Sequence, residues 1–237
     1  MKTKRFYVLL VLLLSLTVTS CWVYQPHLAD IPLIEYKGDM RINGSVYFNP
    51  LQAYQDRLGY FIFPAVGGIS ASFSSGLTDR MAINTYLDYS LGSFFYTHVA
   101  VGRYEAFRGS VLEGYLGTGF GHGTVYINGD PASSSIWYLL PFAQVNYGWH
   151  LGMNWDLGMS LKAGAYTPLH TEMHTPYDKP DVPLLSPLLE PQVFFRVGSN
   201  KRKFQVQVGY THLFNWPHGG LTRYHPLSIG VGYSWTL

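Results

Sequence analysis

The chain has 237 residues, of which 13% are charged, 16% aromatic and 47% hydrophobic. The charged fraction is about half the roughly 25% usual for soluble domains, and the length asks for a single domain. The formal net charge is +2, but residues 1–20 hold Lys2, Lys4 and Arg5 and no acid, so the remainder carries −1. This removes any charge argument for nucleic-acid or polyanion binding.

The chain begins as a targeting segment: the basic Lys2, Lys4 and Arg5, an apolar stretch from Phe6 to Leu16, then a short polar run. It closes on Val18-Thr19-Ser20-Cys21, which resembles the lipobox of bacterial lipoproteins. Residues 1–20 are therefore expected to be a cleaved lipoprotein signal peptide, and Cys21, the sole cysteine, the acylated new N-terminus; the alternative is cleavage by the ordinary signal peptidase with Cys21 incidental. One cysteine also excludes a disulfide within the chain. Residues 21–37 read as a lipid-anchored strap, and 38–237 as the folded body.

After the signal, no apolar run approaches the roughly 18–20 residues of a membrane-spanning helix. Period-two alternation takes its place. Strands are expected at about 39–48, 61–75, 81–91, 94–106, 111–127, 134–148, 155–166, 188–197, 204–214 and 226–237. In the third, Met81, Ile83, Leu87 and Tyr89 share one face, with Arg80, Asn84, Tyr86 and Asp88 on the other. The seventh sets Trp155, Leu157, Met159, Leu161 and Ala163 against Asp156, Ser160, Lys162 and Tyr166. The eighth sets Leu189, Val193, Phe195 and Val197 against Glu190, Gln192 and Arg196, and the ninth Phe204, Val206, Val208 and Tyr210 against Gln205, Gln207, Gly209 and Thr211. In the last, Leu227, Ile229, Val231, Tyr233, Trp235 and Leu237 face away from Ser228, Gly230, Gly232, Ser234 and Thr236. A large apolar face opposite a small uncharged one suits lipid outside and a narrow lumen inside.

The expected fold is thus all-β: a transmembrane antiparallel up-and-down barrel of about ten strands, with eight or twelve as alternatives. Connections after even strands, near Gly76 to Asp79, Arg108 to Ser110, Gly148 to Asn154 and Gly198 to Lys203, are short, as periplasmic turns are. Those after odd strands, about 49–60, 128–133, 168–187 and 215–225, run longer, apart from a tight Gly92-Ser93 link. Both termini are then expected on the periplasmic side, with the lipid anchor on Cys21 in the inner leaflet and residues 22–37 as its tether. Pro141 and Pro191 fall inside strands, where bulges or shifted boundaries are expected. Gly117, Gly119, Gly121 and Gly123 leave one face bare, for a crowded lumen or a sharp bend.

The final strand also resembles the C-terminal assembly signal of outer-membrane proteins, with Tyr233, Trp235 and Leu237 at alternate positions; Leu237 stands where phenylalanine is commonest. Further landmarks are Tyr24 and Pro26, then Pro32-Leu33-Ile34 and Tyr36-Lys37-Gly38-Asp39, the turn Gly76-Leu77-Thr78-Asp79, Glu190-Pro191 with Arg196 and Gly198, and Gln207 with Gly209. With the lipobox cysteine, their order over residues 21–237 resembles a family of Gram-negative outer-membrane β-barrel lipoproteins. That resemblance implies a fold and a location and no activity, so it supplies no functional residues.

Eight inward charges are expected to line the lumen: Arg41, Arg80, Lys162 and Arg196 against Asp88, Glu113, Asp156 and Glu190. Equal numbers of each sign favour a paired, filled lumen over a selective ring. No catalytic constellation emerges. His212-Leu213-Phe214-Asn215 is faintly like the His-x-Ser-Asn of lipid A deacylases, but Phe214 stands at the nucleophile's place. His170, Glu172 and His174 lie among prolines in an expected loop, so the helical spacing that would align metal ligands does not apply. No cofactor or metal motif is present in the sequence. The leading expectation is a non-enzymatic barrel lipoprotein, for envelope structure, surface contact or membership of an outer-membrane complex. A narrow passive pore is the alternative, and a lipid-modifying enzyme a distant second. Expected partners are outer-membrane lipids, the outer-membrane assembly machinery and a surface ligand or protein met by loops 168–187 and 215–225.

Overall fold

The computed structural model describes residues 22–24, 28–49, 53–56, 59–62, 66–90, 94–127, 130–152, 154–172, 184–214, 223–224 and 227–237. Ten antiparallel strands make a single wall: β1 (Met40–Asn49), β2 (Val66–Gly76), β3 (Met81–Ser90), β4 (Phe94–Phe107), β5 (Ser110–Ile127), β6 (Asp130–His150), β7 (Trp155–Glu172), β8 (Ser186–Ser199), β9 (Arg202–Tyr210) and β10 (Leu227–Thr236). Each pairs with the next, and β10 returns to β1 from Ile229 opposite Phe48 to Thr236 opposite Arg41. The sheet is therefore a closed antiparallel barrel without an open edge. Closure gives each wall strand a partner on both sides, the condition that lets strands cross hydrocarbon.

Side-chain period divides the wall into two surfaces. Leu116, Val46, Ile69, Val193 and Val145 are each more than half exposed on the outside. Ser74, Asn84, Asn146, Gln207 and Ser228 alternate with such residues and are buried inside. The polarity is inverted relative to a soluble domain, and it follows directly from which parity of each strand carries the apolar side chains.

At one mouth the strands are joined by residues 77–80, 108–109, 151–154 and 200–201. Gly38, Gly109 and Gly152 have positive φ at this end, of 85°, 78° and 92°. At the other mouth the wall extends further than its alternation implies. β5 and β6 continue to Ile127 and Asp130, and β7 to Glu172, so parts of the expected loops 128–133 and 168–187 are strand. The short hairpin of Ala53–Asp56 with Gly59–Ile62 also stands there, between β1 and β2.

The expected bulges at Pro141 and Pro191 are absent, and register runs straight through both: Pro141 opposes Thr118 and Pro191 opposes Leu161. Each proline instead sits where the ladder to its other neighbour lapses. Between β6 and β7 the pairing is missing from Leu140–Pro141 opposite Ala165–Tyr166. Between β8 and β9 it stops at Gln192–Gly209 and resumes at Leu189–His212, skipping Pro191. A missing N–H is tolerated on the side where no bond is made.

Residues 28–35 correct a larger expectation. They do not hang beneath the barrel as a tether; they run inside it, with Leu28 to Ile34 buried. Trp22–Tyr24 pairs in parallel with Arg223–Tyr224, in the connection between β9 and β10 at the long mouth. Leu237, by contrast, donates its N–H to Met40 O at the short-turn mouth. The described chain therefore begins at the long mouth and ends at the short-turn mouth.

Candidate functional site: a lumen filled by the chain's own strap

The apolar side chains of the strap divide between two clusters. Ala29, Ile31 and Leu33 pack with Val111 and Phe194, while Ile34 joins Ala82, Ala100, Tyr104, Tyr115 and Phe142 across the lumen. Two wall glycines make room for it: a Cβ on Gly148 would strike Leu33, and one on Gly230 would strike Leu28. Leu33 itself has φ 59°, a left-handed conformation that a leucine holds only when its surroundings enforce it.

An extended segment inside a barrel has no neighbouring strand, so its backbone needs partners from side chains. The wall supplies them. Ala29 N–H donates to Gln192 Oε1 at 2.7 Å, and Gln207 Nε2 donates to Ala29 O at 2.9 Å. Gln144 Nε2 donates to Asp30 O at 2.7 Å, Arg196 Nη2 donates to Ile31 O, and Ile34 N–H donates to Glu113 Oε1 at 2.6 Å. The Asp30 carboxylate accepts from Asn43 Nδ2 at 2.6 Å, from Ser74 Oγ at 2.9 Å and from Asn84 Nδ2. Hydrogen bonds to a charged group contribute about 1.5–3 kcal/mol each, so Asp30 is the strap's strongest polar anchor.

Around the strap the lumen is layered. At the short-turn mouth Arg41 Nη2 meets Glu35 Oε1 at 3.0 Å and Asp39 Oδ2 at 3.1 Å. Asp156 Oδ1 accepts from Lys203 Nζ at 2.6 Å and contacts His150 Nδ1 at 2.8 Å. Towards the long mouth the filling is aromatic. Tyr47 and Tyr86 donate to the two oxygens of Asp88 at 2.6 and 3.0 Å. Tyr96 and Tyr138 stack with ring centres 6.3 Å apart, and Tyr138 meets Tyr166 at 4.8 Å. Lys162 Nζ pairs with Glu190 Oε2 at 3.1 Å and lies 5.1 Å from the centre of the Phe142 ring, while Thr211 Oγ1 donates to Glu190 at 2.9 Å.

The glycine row of β5 belongs to this layer. A Cβ on Gly119, Gly121 or Gly123 would enter the rings of Tyr96, Tyr138 or Phe94, and one on Gly117 would meet Phe142. The bare face is occupied by rings from neighbouring strands, so crowding, not bending, accounts for it.

Of the eight expected lumen charges, Arg41, Asp88, Glu113, Asp156, Lys162, Glu190 and Arg196 are buried inside the wall. Arg80 is not: it is exposed in the turn before β3, where its carbonyl accepts from Tyr104 N–H. Strand phase fails there because the residue precedes the strand. Alternation within the wall strands also gave no sign of Asp30, which is buried inside, because the residue lies outside every strand. The only sequence signal for the strap's burial is its apolar content, Leu28, Ile31, Leu33 and Ile34, unusual for a water-exposed linker.

The expected external position of His212 has a structural counterpart: the residue is exposed, with Leu213 turned inward, and its ring meets Phe214 edge-on at 4.5 Å. His170 lies on β7 opposite Trp137 with its side chain exposed, and Glu172 ends the same strand; the stretch is not the expected loop there. His174 and Cys21 lie outside the described residues, as does most of the connection 215–225. In the terminal strand Trp235 and Leu237 are exposed on the outer face, and Tyr233 packs against Trp235 with ring centres 4.6 Å apart.

No protein-family model matches the sequence, and no curated protein sequence matches it. Among solved structures the chain is similar to the KdgM porin, with a TM-score of 0.41 and 10% identity over 83% of this chain and 99% of that one. It is also similar to the NanC porin, with a TM-score of 0.43 and 8% identity over 84% of this chain and 100% of that one.

Proposed function

We propose that the chain is an outer-membrane barrel lipoprotein whose lumen is shut by its own N-terminal strap, and that it serves the envelope through its surfaces and not through catalysis or open conduction. The observation that carries this reading is the set of wall side chains, Gln144, Gln192, Gln207, Arg196 and Glu113, spent on the backbone of residues 29–34. A wall built to pass solutes would leave such groups facing water. In this reading the short turns face the periplasm, the outer apolar belt meets lipid, Tyr233, Trp235 and Leu237 engage the assembly machinery, and the long connections meet a surface ligand or partner.

A second reading, a narrow passive pore, is favoured by one feature: the plug is a single segment outside the wall and is not a wall element. Its withdrawal would leave Asn43, Ser74, Asn84, Gln144 and Gln207 around an aqueous path.

Planar-bilayer recordings on the purified full-length protein decide between them. The closed reading expects no stepwise conductance from the native chain and its appearance in Asp30→Ala combined with Ile34→Ser. Steady conductance from the native chain would overturn the closed reading in favour of the pore.

A further inference from the structure

The strap has a direction, and its contacts fix it. Tyr36 O accepts from Asp39 N–H at the short-turn mouth, and Gly38 N–H donates to Gly76 O. Moving towards the N-terminus, Ile34 meets Glu113, three residues into β5 from Ser110; Ala29 meets Gln192, well up β8; and Leu28 lies against Gly230. Gly230 is only three residues from Leu227, where β10 reaches the long mouth, a distance of about 10 Å along the strand. The four residues from Leu28 back to Tyr24 span up to about 14 Å when extended, enough to leave the lumen. Trp22–Tyr24 is paired with Arg223–Tyr224, in the connection between β9 and β10 at the long mouth, and runs beside β5.

We infer that the N-terminal segment threads its own barrel and emerges at the long mouth, so that the mature N-terminus, with any acyl group carried by the lipobox cysteine, is presented at the outer leaflet and the cell surface instead of the inner leaflet. The threading stands on contacts alone. Its assignment to the cell surface rests on the outer-membrane reading above, in which the long connections face outward. The partner class is a lipid surface: a chain leaving through the long mouth meets the outer leaflet first.

The test adds one cysteine at a time to the full-length protein, Tyr24→Cys, Arg223→Cys or Lys201→Cys, with the parent chain, which carries Cys21, as the blank and a membrane-impermeant maleimide on intact cells. Tyr24→Cys is expected to label as strongly as Arg223→Cys, while Lys201→Cys labels only once the outer membrane is permeabilised. In parallel, the pair Tyr24→Cys with Tyr224→Cys is treated with a short bis-maleimide on purified, folded protein. An internal cross-link is expected. No cross-link, or Tyr24→Cys labelling only after permeabilisation while Arg223→Cys labels without it, overturns the threading. A cross-link together with surface labelling of Lys201→Cys and protection of both other sites keeps the threading and overturns the orientation.

Discussion

Glu113 Oε1 accepts the backbone N–H of Ile34 at 2.6 Å while its other oxygen accepts from Asn146 Nδ2 at 2.9 Å, so one buried carboxylate joins the strap to the wall. Replacing it by alanine leaves a buried amide N–H and a buried carboxamide without acceptors. The expected loss for Glu113→Ala is about 2–6 kcal/mol, at two lost acceptors of roughly 1–3 kcal/mol each. Glu113→Gln retains an acceptor for Ile34 and is expected to lose less. Urea titration read by the cold and boiled gel mobility of the barrel measures both.

The ion pair of Lys162 and Glu190 is buried and shares its space with Thr211 and the Phe142 ring. Lys162→Ala removes the cation from a buried carboxylate, for an expected loss of about 3–5 kcal/mol. Lys162→Met with Glu190→Leu removes both charges and is expected to recover most of that loss. A double-mutant cycle in the same titration checks it; additive losses would show that the two charges do not interact.

Gly121 and Gly114 share β5 but face opposite ways. A Cβ at Gly121 would enter the Tyr138 ring, whereas one at Gly114 meets nothing within 4 Å. Gly121→Ala is expected to destabilise by about 1–3 kcal/mol through overpacking, and Gly114→Ala to stay within about 0.5 kcal/mol of the parent. Thermal loss of the unboiled gel form compares the two.

Leu116 is 71% exposed on the outer wall. Arginine there is expected to cost about 2–4 kcal/mol at mid-bilayer depth. Lys201→Glu, in a short turn, is expected to cost little by the same rule. Folding into lipid vesicles from urea measures both, and an unaffected Leu116→Arg would mean that this face is not in hydrocarbon.

How much of this was readable beforehand depends on where periodicity operates. In β9 and β10 the outward and inward sets alternate without interruption, so Phe204 and Gln205, or Trp235 and Ser234, were assignable to their faces from spacing alone. The count of ten strands followed, as did the short mouth. Arg80 was misplaced because alternation was extended one residue past the start of β3. At Pro141 and Pro191 the expected bulges or shifted boundaries give way to a lapse in one ladder, because sequence reveals a missing donor without showing which neighbour would have used it. The strap is legible as a segment but its place inside the lumen is not: its partners, Gln192 and Gln207, are more than 150 residues away, at separations of 163 and 178, and no local pattern reports a contact of that range. The glycine row was legible as space, while the rings filling it come from other strands.

An encircled strap also constrains the order of events in assembly. Once β10 has zipped against β1, the described strands form a closed ring around the strap, which bars it from slipping in sideways. The simplest order has the segment first in sequence lying across the open sheet when the final strand arrives, with Gln207 and Gly230, on the last two strands, completing its enclosure. Closure of the seam thereby acts as a latch. A chain with a weakened strap would seal without that latch, leaving a leaky barrel, as the conductance expected of the combined Asp30→Ala and Ile34→Ser variant requires.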